Sequence, residues 1–296
     1  MSKITQALEK AARGRLQRDQ EQPTVPTTER VRIPLAEPVV AATPSRIGEV
    51  ATIGEVQIDP HIVSAADSKS PIAEQYRILK FNLQSLRLRQ GPKAIVVTSA
   101  LNGEGKTVTA INLALTLARQ ESLRVALVDA DLRRSSIHRW LGFTERPKGV
   151  STVLTNGGLL NGSLLSLQTP SLTILPSGPA VEHPAELLQS FNMKRLLAGL
   201  KTQFDLILID TPPVLAVADT GILASQADGV LLVVRAGKTQ RKTVAQAQGL
   251  LEQVKANLLG CVLTHAPYYL PTYYQYYGES KQEPARHAAE PIAAVR

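Results

Sequence analysis

Hydrophobic positions recur along this chain with two different periods. Short continuous apolar runs at 94–98, 124–129, 172–175, 205–210, 229–234 and 258–263 are rich in Val, Ile and Leu and have the length of strands. Between them lie segments with apolar residues three or four apart, at 106–119, 184–200, 215–226 and 239–256. A further segment, 71–89, places Ile72, Tyr76, Leu79, Leu83 and Leu86 at helical spacing ahead of the first run. Strands alternating with helices predict an α/β fold, a mostly parallel doubly wound sheet. The runs are continuous rather than alternating, as strands buried on both faces require.

The same pattern divides the chain. Residues 67–266 read as one globular domain. Ahead of it, Ile4, Leu8, Ala11 and Ala12 in 1–20 have the spacing of a short amphipathic helix, with a frayed tail as the alternative. Residues 21–66 are punctuated by Pro23, Pro26, Pro34, Pro38, Pro44 and Pro60 and read as an extended Pro-rich linker. Residues 279–296 are polar and rich in Ala, Glu and Pro, a flexible tail.

Composition narrows the classes. At 296 residues and 44% hydrophobic content, the chain can bury a sizeable core. Cys261 is its single cysteine, which excludes an internal disulfide and suits a buried cytosolic thiol. The five histidines show no metal-ligand spacing. No apolar run has the length needed to span a bilayer, and MSKITQALEK is too polar for a signal peptide, so a cytoplasmic protein is expected. The net charge is +8, with Arg133, Arg134, Arg139, Arg146 and Lys148 among its sources. A nucleotide site accounts for part of this; acidic lipid, nucleic acid or a solvated basic face could account for the rest.

Chemistry first appears at 94–107, AIVVTSALNGEGKT. An apolar strand enters a turn of small residues that ends in Gly105-Lys106-Thr107, and a helical pattern follows. This is the order of a phosphate-binding loop, GxxxxGK[ST], with Ala100 in place of its first glycine. Gly103 and Gly105 allow backbone N–H groups to ring a polyphosphate, and the helix N-terminus adds its dipole. Lys106 would reach the β- and γ-phosphates and the Thr107 hydroxyl would ligate Mg²⁺. Asn102, Gly103, Glu104, Gly105, Lys106, Thr107 and Val108 are the candidate nucleotide contacts. The bland alternative, a Gly-rich turn in another α/β fold, leaves Lys106-Thr107 without a purpose.

Two other strand ends carry acids. Asp129 and Asp131 follow the run Val125–Val128, and Asp210 ends the run Leu206–Ile209 in DLILIDTPP. Ligand groups in a parallel sheet gather at the carboxyl ends of strands. Acids there can hold Mg²⁺ or accept a proton from a nucleophile. Each alone could be an ordinary strand-end or capping residue.

The last feature is aromatic. Six of the seven tyrosines, Tyr268, Tyr269, Tyr273, Tyr274, Tyr276 and Tyr277, lie within ten residues of the segment 267–278. Pro267, Pro271 and Gly278 disfavour a regular helix or central strand there. A tyrosine-rich exposed segment is a phosphoacceptor when an ATP site accompanies it; otherwise it reads as an aromatic or RNA-stacking surface.

These residues resemble those of the bacterial tyrosine kinases (BY-kinases) of capsular and exopolysaccharide assembly, over about 67–278. SALNGEGKT is similar to the family's Walker A segment, which tolerates Ala100. ALVDADLR is similar to its Walker A′ segment, with Asp129-x-Asp131-x-Arg133, and LILIDTPP to its Walker B. Glu74, Arg77, Lys80 and Asn82 resemble the oligomerisation helix, with Lys80 where Arg is usual. HPAELLQS resembles an Asn-Pro-x-Glu-Leu-Leu segment, with His183 for Asn, and CVLTHA carries Thr264 where relatives often have Asn. SKITQALEKA resembles N-termini of autokinases from exopolysaccharide and exosortase loci.

The resemblance implies a P-loop NTPase of the ParA/MinD-like, deviant Walker branch. ParA/MinD positioning ATPases themselves carry an extra loop lysine where this chain has Leu101. It implies an ATP-dependent tyrosine autokinase, with Mg²⁺ held by Thr107, Asp129 and Asp210. The catalytic set would be Lys106, Asp129, Asp131, Arg133 and Asp210, with Asp129 or Asp131 orienting or deprotonating the tyrosine. It implies a homo-oligomeric ring in which one subunit's tail enters the next subunit's site, and phosphorylation breaks that ring by repulsion. The implied partners are a membrane polysaccharide copolymerase with an activating cytoplasmic tail, at the inner face of the membrane, and a protein tyrosine phosphatase. Nucleic acid is not among them. The alternatives are an ATP-gated scaffold without kinase activity and a ParA/MinD-like positioning ATPase.

Overall fold

Each strand of the sheet sends alternate side chains to opposite faces, and both faces are covered. A computed structural model describes residues 51–52, 58–65, 70–86, 93–120, 123–143, 146–158, 160, 162–166, 172–266 and 293–295. Among these, the strands are β1 (Ala51–Thr52), β2 (Ala94–Ser99), β3 (Val125–Asp129), β4 (Leu165–Ser166), β5 (Leu172–Leu175), β6 (Leu206–Asp210), β7 (Gly229–Arg235), β8 (Leu258–Thr264) and β9 (Ala293–Val295). The helices are α1 (Pro71–Ser85), α2 (Lys106–Ala118), α3 (Ile137–Trp140), α4 (Val150–Thr155), α5 (Pro184–Gln189), α6 (Phe191–Gln203), α7 (Asp219–Ala224) and α8 (Arg241–Gln253).

The strand order is β1-β4-β5-β3-β6-β2-β7-β8-β9. Pairing is parallel except at β4–β5 and β8–β9. The chain leaves β2 toward β3 and β5, returns to β6 and then crosses to β7 on the other side of β2. This reversal opens a crevice at the carboxyl end of β2, where ligands bind in such sheets. Ile95, Val97, Val125, Leu127, Leu206, Leu208, Leu231 and Val233 face one layer with α1 and α2. Val96, Val128, Ile207, Ile209, Val230 and Leu232 face the other, against Met193, Leu196, Leu223 and Leu251 of α6, α7 and α8.

The six predicted strands and the helices of the core are present, with three differences. The helical pattern at 184–200 is two helices. Ser190 adopts φ −64°, ψ 161°, and its hydroxyl donates to Leu187 O (2.7 Å) and accepts from Met193 N–H (3.3 Å), ending α5 and capping α6. Ordered structure begins before Asp67, contrary to the linker expected through 66. Ile62 is buried, Ser64 N–H donates to Asn112 Oδ1 (2.8 Å), and Arg119 Nη2 donates to Ser64 O (2.7 Å). Finally, β9 pairs with β8 inside the stretch expected to be a loose tail. The predicted helix at 1–20 and the tyrosine cluster at 267–278 lie outside the described residues.

Candidate active site

The phosphate loop joins β2 to α2 without a side-chain cap on the helix. Gly103 and Gly105 have φ of 77° and 87°, a region open to glycine and strained for other residues. A Cβ at Gly105 would also meet Thr264 Cγ2 at 3.3 Å. Ala100, the departure from the motif, is buried in the core and is not a positive-φ position. Alanine therefore fits where the motif has glycine. The first N–H groups of an uncapped helix need an acceptor, and here they face a cavity of about 730 Å³. Asn102, Gly103, Gly105, Lys106, Thr107 and Val108 line it.

Glu104 is held differently. Its carboxylate accepts from Leu101 N–H (2.8 Å) and from the Thr239 hydroxyl, and its carbonyl accepts from Thr264 Oγ1 (2.7 Å). The side chain braces the loop, and only its backbone remains for a ligand.

The three acids surround Lys106. Its Nζ donates to Asp131 Oδ2 (3.2 Å) and lies 3.5 Å from Asp210 Oδ1. Thr107 Oγ1 donates to Asp210 Oδ2 (2.7 Å). Asp129 and Asp210 are register partners across β3 and β6, so the sheet brings them together. Asp129 accepts N–H groups of Asp131 and Ile137, each at 3.3 Å. The Lys106 side chain is only 12% exposed, so it is a buried partner of acids rather than a solvated chain.

Electrostatics follow from burial. Asp129 has no solvent contact, and burial, then the charges of Asp210 and Asp131, push its carboxyl up to about 7. Burial also raises Asp210, against the opposing pull of Lys106 and Thr107. Burial lowers Lys106, but Asp210 and Asp131 outweigh it and hold the ammonium above its usual range. Three carboxylates against one ammonium leave an excess of negative charge, which suits a divalent cation beside bound phosphates. Among the described residues no three carboxylate, imidazole or thiol groups form a metal cage. A cation here would rest on few protein ligands, Thr107 and Asp210, with phosphate oxygens completing its shell.

The remaining candidates separate. Arg133 turns away from the cavity into a two-pronged pair with buried Asp219, at 2.8 and 3.0 Å. Glu74 and Arg77 of α1 pair with each other. Glu74 and Arg77, both half-buried, and exposed Asn82 share the outer face of α1 with exposed Ile78 and Phe81, and half-buried Lys80 lies at its edge.

The family described as "AAA domain" matches residues 92–259. "Tyrosine-protein kinase YwqD" of Bacillus subtilis (strain 168) is 37% identical over 218 residues, covering 74% of this chain and 91% of the relative. The chain belongs to the bacterial tyrosine-protein kinases. Two solved structures agree. The chimerical protein CapA2B2 aligns with a TM-score of 0.66 at 29% identity, covering 75% of this chain and 96% of its own. The kinase domain of Escherichia coli tyrosine kinase ETK aligns with a TM-score of 0.63 at 29% identity, covering 71% and 82%. Nucleotide binding and protein-tyrosine kinase activity follow for this chain.

In this tyrosine kinase the cavity also has walls that the motifs did not identify. From beyond β3 come Arg134, Ser136, Arg139 and Trp140; from the strap 58–65 comes His61; from the ends of β7 and β8 come Arg235 and His265. The basic residues after Asp131 were visible in the sequence only as charge. Nothing in its pattern joined His61, inside an expected linker, to the site. Among the described residues no helix is long and apolar enough to cross a membrane.

Proposed function

We propose that this chain is an ATP-dependent tyrosine autokinase that phosphorylates its own tyrosine cluster, Tyr268, Tyr269, Tyr273, Tyr274, Tyr276 and Tyr277, between subunits. The observation that carries this reading is the meeting of Lys106, Thr107, Asp131 and Asp210 at an uncapped helix N-terminus. Loop amides and Lys106 hold the β- and γ-phosphates of ATP, and Thr107 and Asp210 are placed for Mg²⁺, with Asp129 close behind. Thr107 and Asp210 would hold Mg²⁺, which would supply neutralisation of the charge developing on the transferred phosphate. Asp131 is the acid that reaches the cavity surface, so it orients the phenol and takes its proton. The phenol oxygen bonds to the γ-phosphorus as the bond to the β–γ bridging oxygen breaks, releasing ADP. A phenol with a pKa near 10 needs such a base at neutral pH. Asp129 positions the loop by accepting the N–H groups of Asp131 and Ile137, and Arg133 ties the same loop to α7.

The physiological reading is regulation of capsule or exopolysaccharide synthesis and export. The similar chimerical protein CapA2B2 supports a partner protein, and this reading takes it as a membrane partner whose cytoplasmic tail completes the kinase. A ring of copies docked through α1 and a phosphatase that resets the tail belong to the same reading.

Lys106→Met tests the site. Phosphotyrosine formation should fall by at least about a hundredfold. The protein should still fold but melt lower by several degrees, because about 2 kcal/mol of buried pairing is lost. Wild-type phosphotyrosine in a folded Lys106→Met protein would sink the assignment.

A further inference from the structure

The sheet order gives the cavity two sides. Arg235, Thr264 and His265 come from β7 and β8, on one side of the phosphate loop, whereas Asp131, Arg134, Arg139 and Trp140 come from the exit of β3, on the other. Asp131 marks the second side as the one where the acceptor enters. Three arginines lie in the nine residues after Asp131, and only Arg133 is consumed by an ion pair. Arg134 and Arg139 are exposed, line the cavity and form no ion pair with a described residue. Arg134 is fixed at its root, because its N–H donates to Asp131 Oδ1 at 2.9 Å. Beside them Trp140 and His61 meet edge to face, with ring centroids 5.8 Å apart at 78°. Burial, then the charges of Arg146 and Arg139, hold His138 below the usual imidazole range, so the positive field is local.

An aromatic wall next to two guanidinium groups without a described carboxylate partner, Arg139 only leaning on Ser135 O at 3.5 Å, matches one ligand chemistry, an aryl phosphate. The guanidinium fork pairs two phosphate oxygens, and the ring lies on an aromatic face. The tyrosine cluster consists of three adjacent pairs, so the first phosphorylated tyrosine has another tyrosine next to it in the chain. We infer that Arg134 and Arg139 form a phosphotyrosine subsite, in which a tyrosine already phosphorylated docks and holds the next one against Asp131. Phosphorylation of the cluster is then primed: the first phosphate is added slowly and later ones quickly. This inference rests on the reading that the cluster is the acceptor.

The test uses the full chain with its six clustered tyrosines changed to Phe, presented with two synthetic peptides of residues 267–278. One peptide is unmodified and the other carries phosphate on Tyr276. The phosphopeptide should be used with kcat/KM about tenfold higher, mainly through KM. Adding Arg134→Gln and Arg139→Gln should bring that ratio to about one, with binding of a fluorescent ADP analogue unchanged. Free phosphotyrosine should inhibit use of the phosphopeptide, and inorganic phosphate at the same concentration should not. Equal use of the two peptides by the Arg-containing chain, or a ratio that survives the double substitution, overturns the inference alone. Weakened ADP binding in the double variant overturns it by assigning the arginines to the nucleotide. Labelling of neither peptide overturns it together with the acceptor reading.

Discussion

Asp129 shows how a single residue couples stability to function in this protein. A carboxyl whose folded pKa lies above its unfolded value favours the folded state only when protonated. Its cost is absent below the unfolded value of 3.8, grows as pH rises, and is complete above about 7. Asp129→Asn removes the charge and keeps an acceptor for one of two N–H groups, since Asp131 N–H meets Oδ1 and Ile137 N–H meets Oδ2. Without nucleotide, the variant should be more stable than wild type at pH 8 by on the order of 1 kcal/mol, about 2–4 °C in Tm. That gain should shrink toward pH 5, and kinase activity should fall at every pH. Melting curves across this range decide it: a variant less stable at pH 8 would show that Asp129 is stabilised as an anion. That Lys106, Thr107 and Asp210 would meet was legible from the loop motif and the strand-end position of the acid. The burial of Lys106 was not, because the three acids meet it only when β3 and β6 are paired beside the loop.

At the scale of elements, the strand runs were legible almost to the residue because burial on both faces leaves no room for polar positions. Helix ends were less so. The break at Ser190 is made by one hydroxyl serving two backbones, which no periodicity records. The strap 58–65 was hidden for a related reason. Its backbone is held by the Asn112 and Arg119 side chains of the α2 region, and the apolar residues it packs into the core, Ile62 with Ile58 and Val63, are too few to show a period. Helix α1 exposes two large apolar side chains, Ile78 and Phe81, on its outer face. Phe81 is 71% exposed on it, beside the Glu74–Arg77 pair. Arg77→Ala should shift the protein toward monomer at matched concentration and slow phosphorylation of the tail at least severalfold, with the monomer fold intact. Unchanged mass by light scattering would leave α1 as a solvated helix and remove the subunit contact.

For the whole molecule, the sheet order puts a phosphate loop at the centre, and the proposal gives the acceptor one side of it. The proposed acceptor, 267–278, follows β8 in sequence and lies outside the described residues, so the sequence alone suggests it. The central claim is that this cluster receives the phosphoryl group. The direct measurement is mass-spectrometric phosphosite mapping of the full chain after incubation with Mg·ATP, beside a chain with the six clustered tyrosines replaced by Phe. Phosphate on several of Tyr268, Tyr269, Tyr273, Tyr274, Tyr276 and Tyr277, and near-complete loss of phosphotyrosine in the Phe variant with nucleotide binding retained, is the predicted result. Wild-type phosphotyrosine levels in the Phe variant would contradict it, and place the acceptor elsewhere.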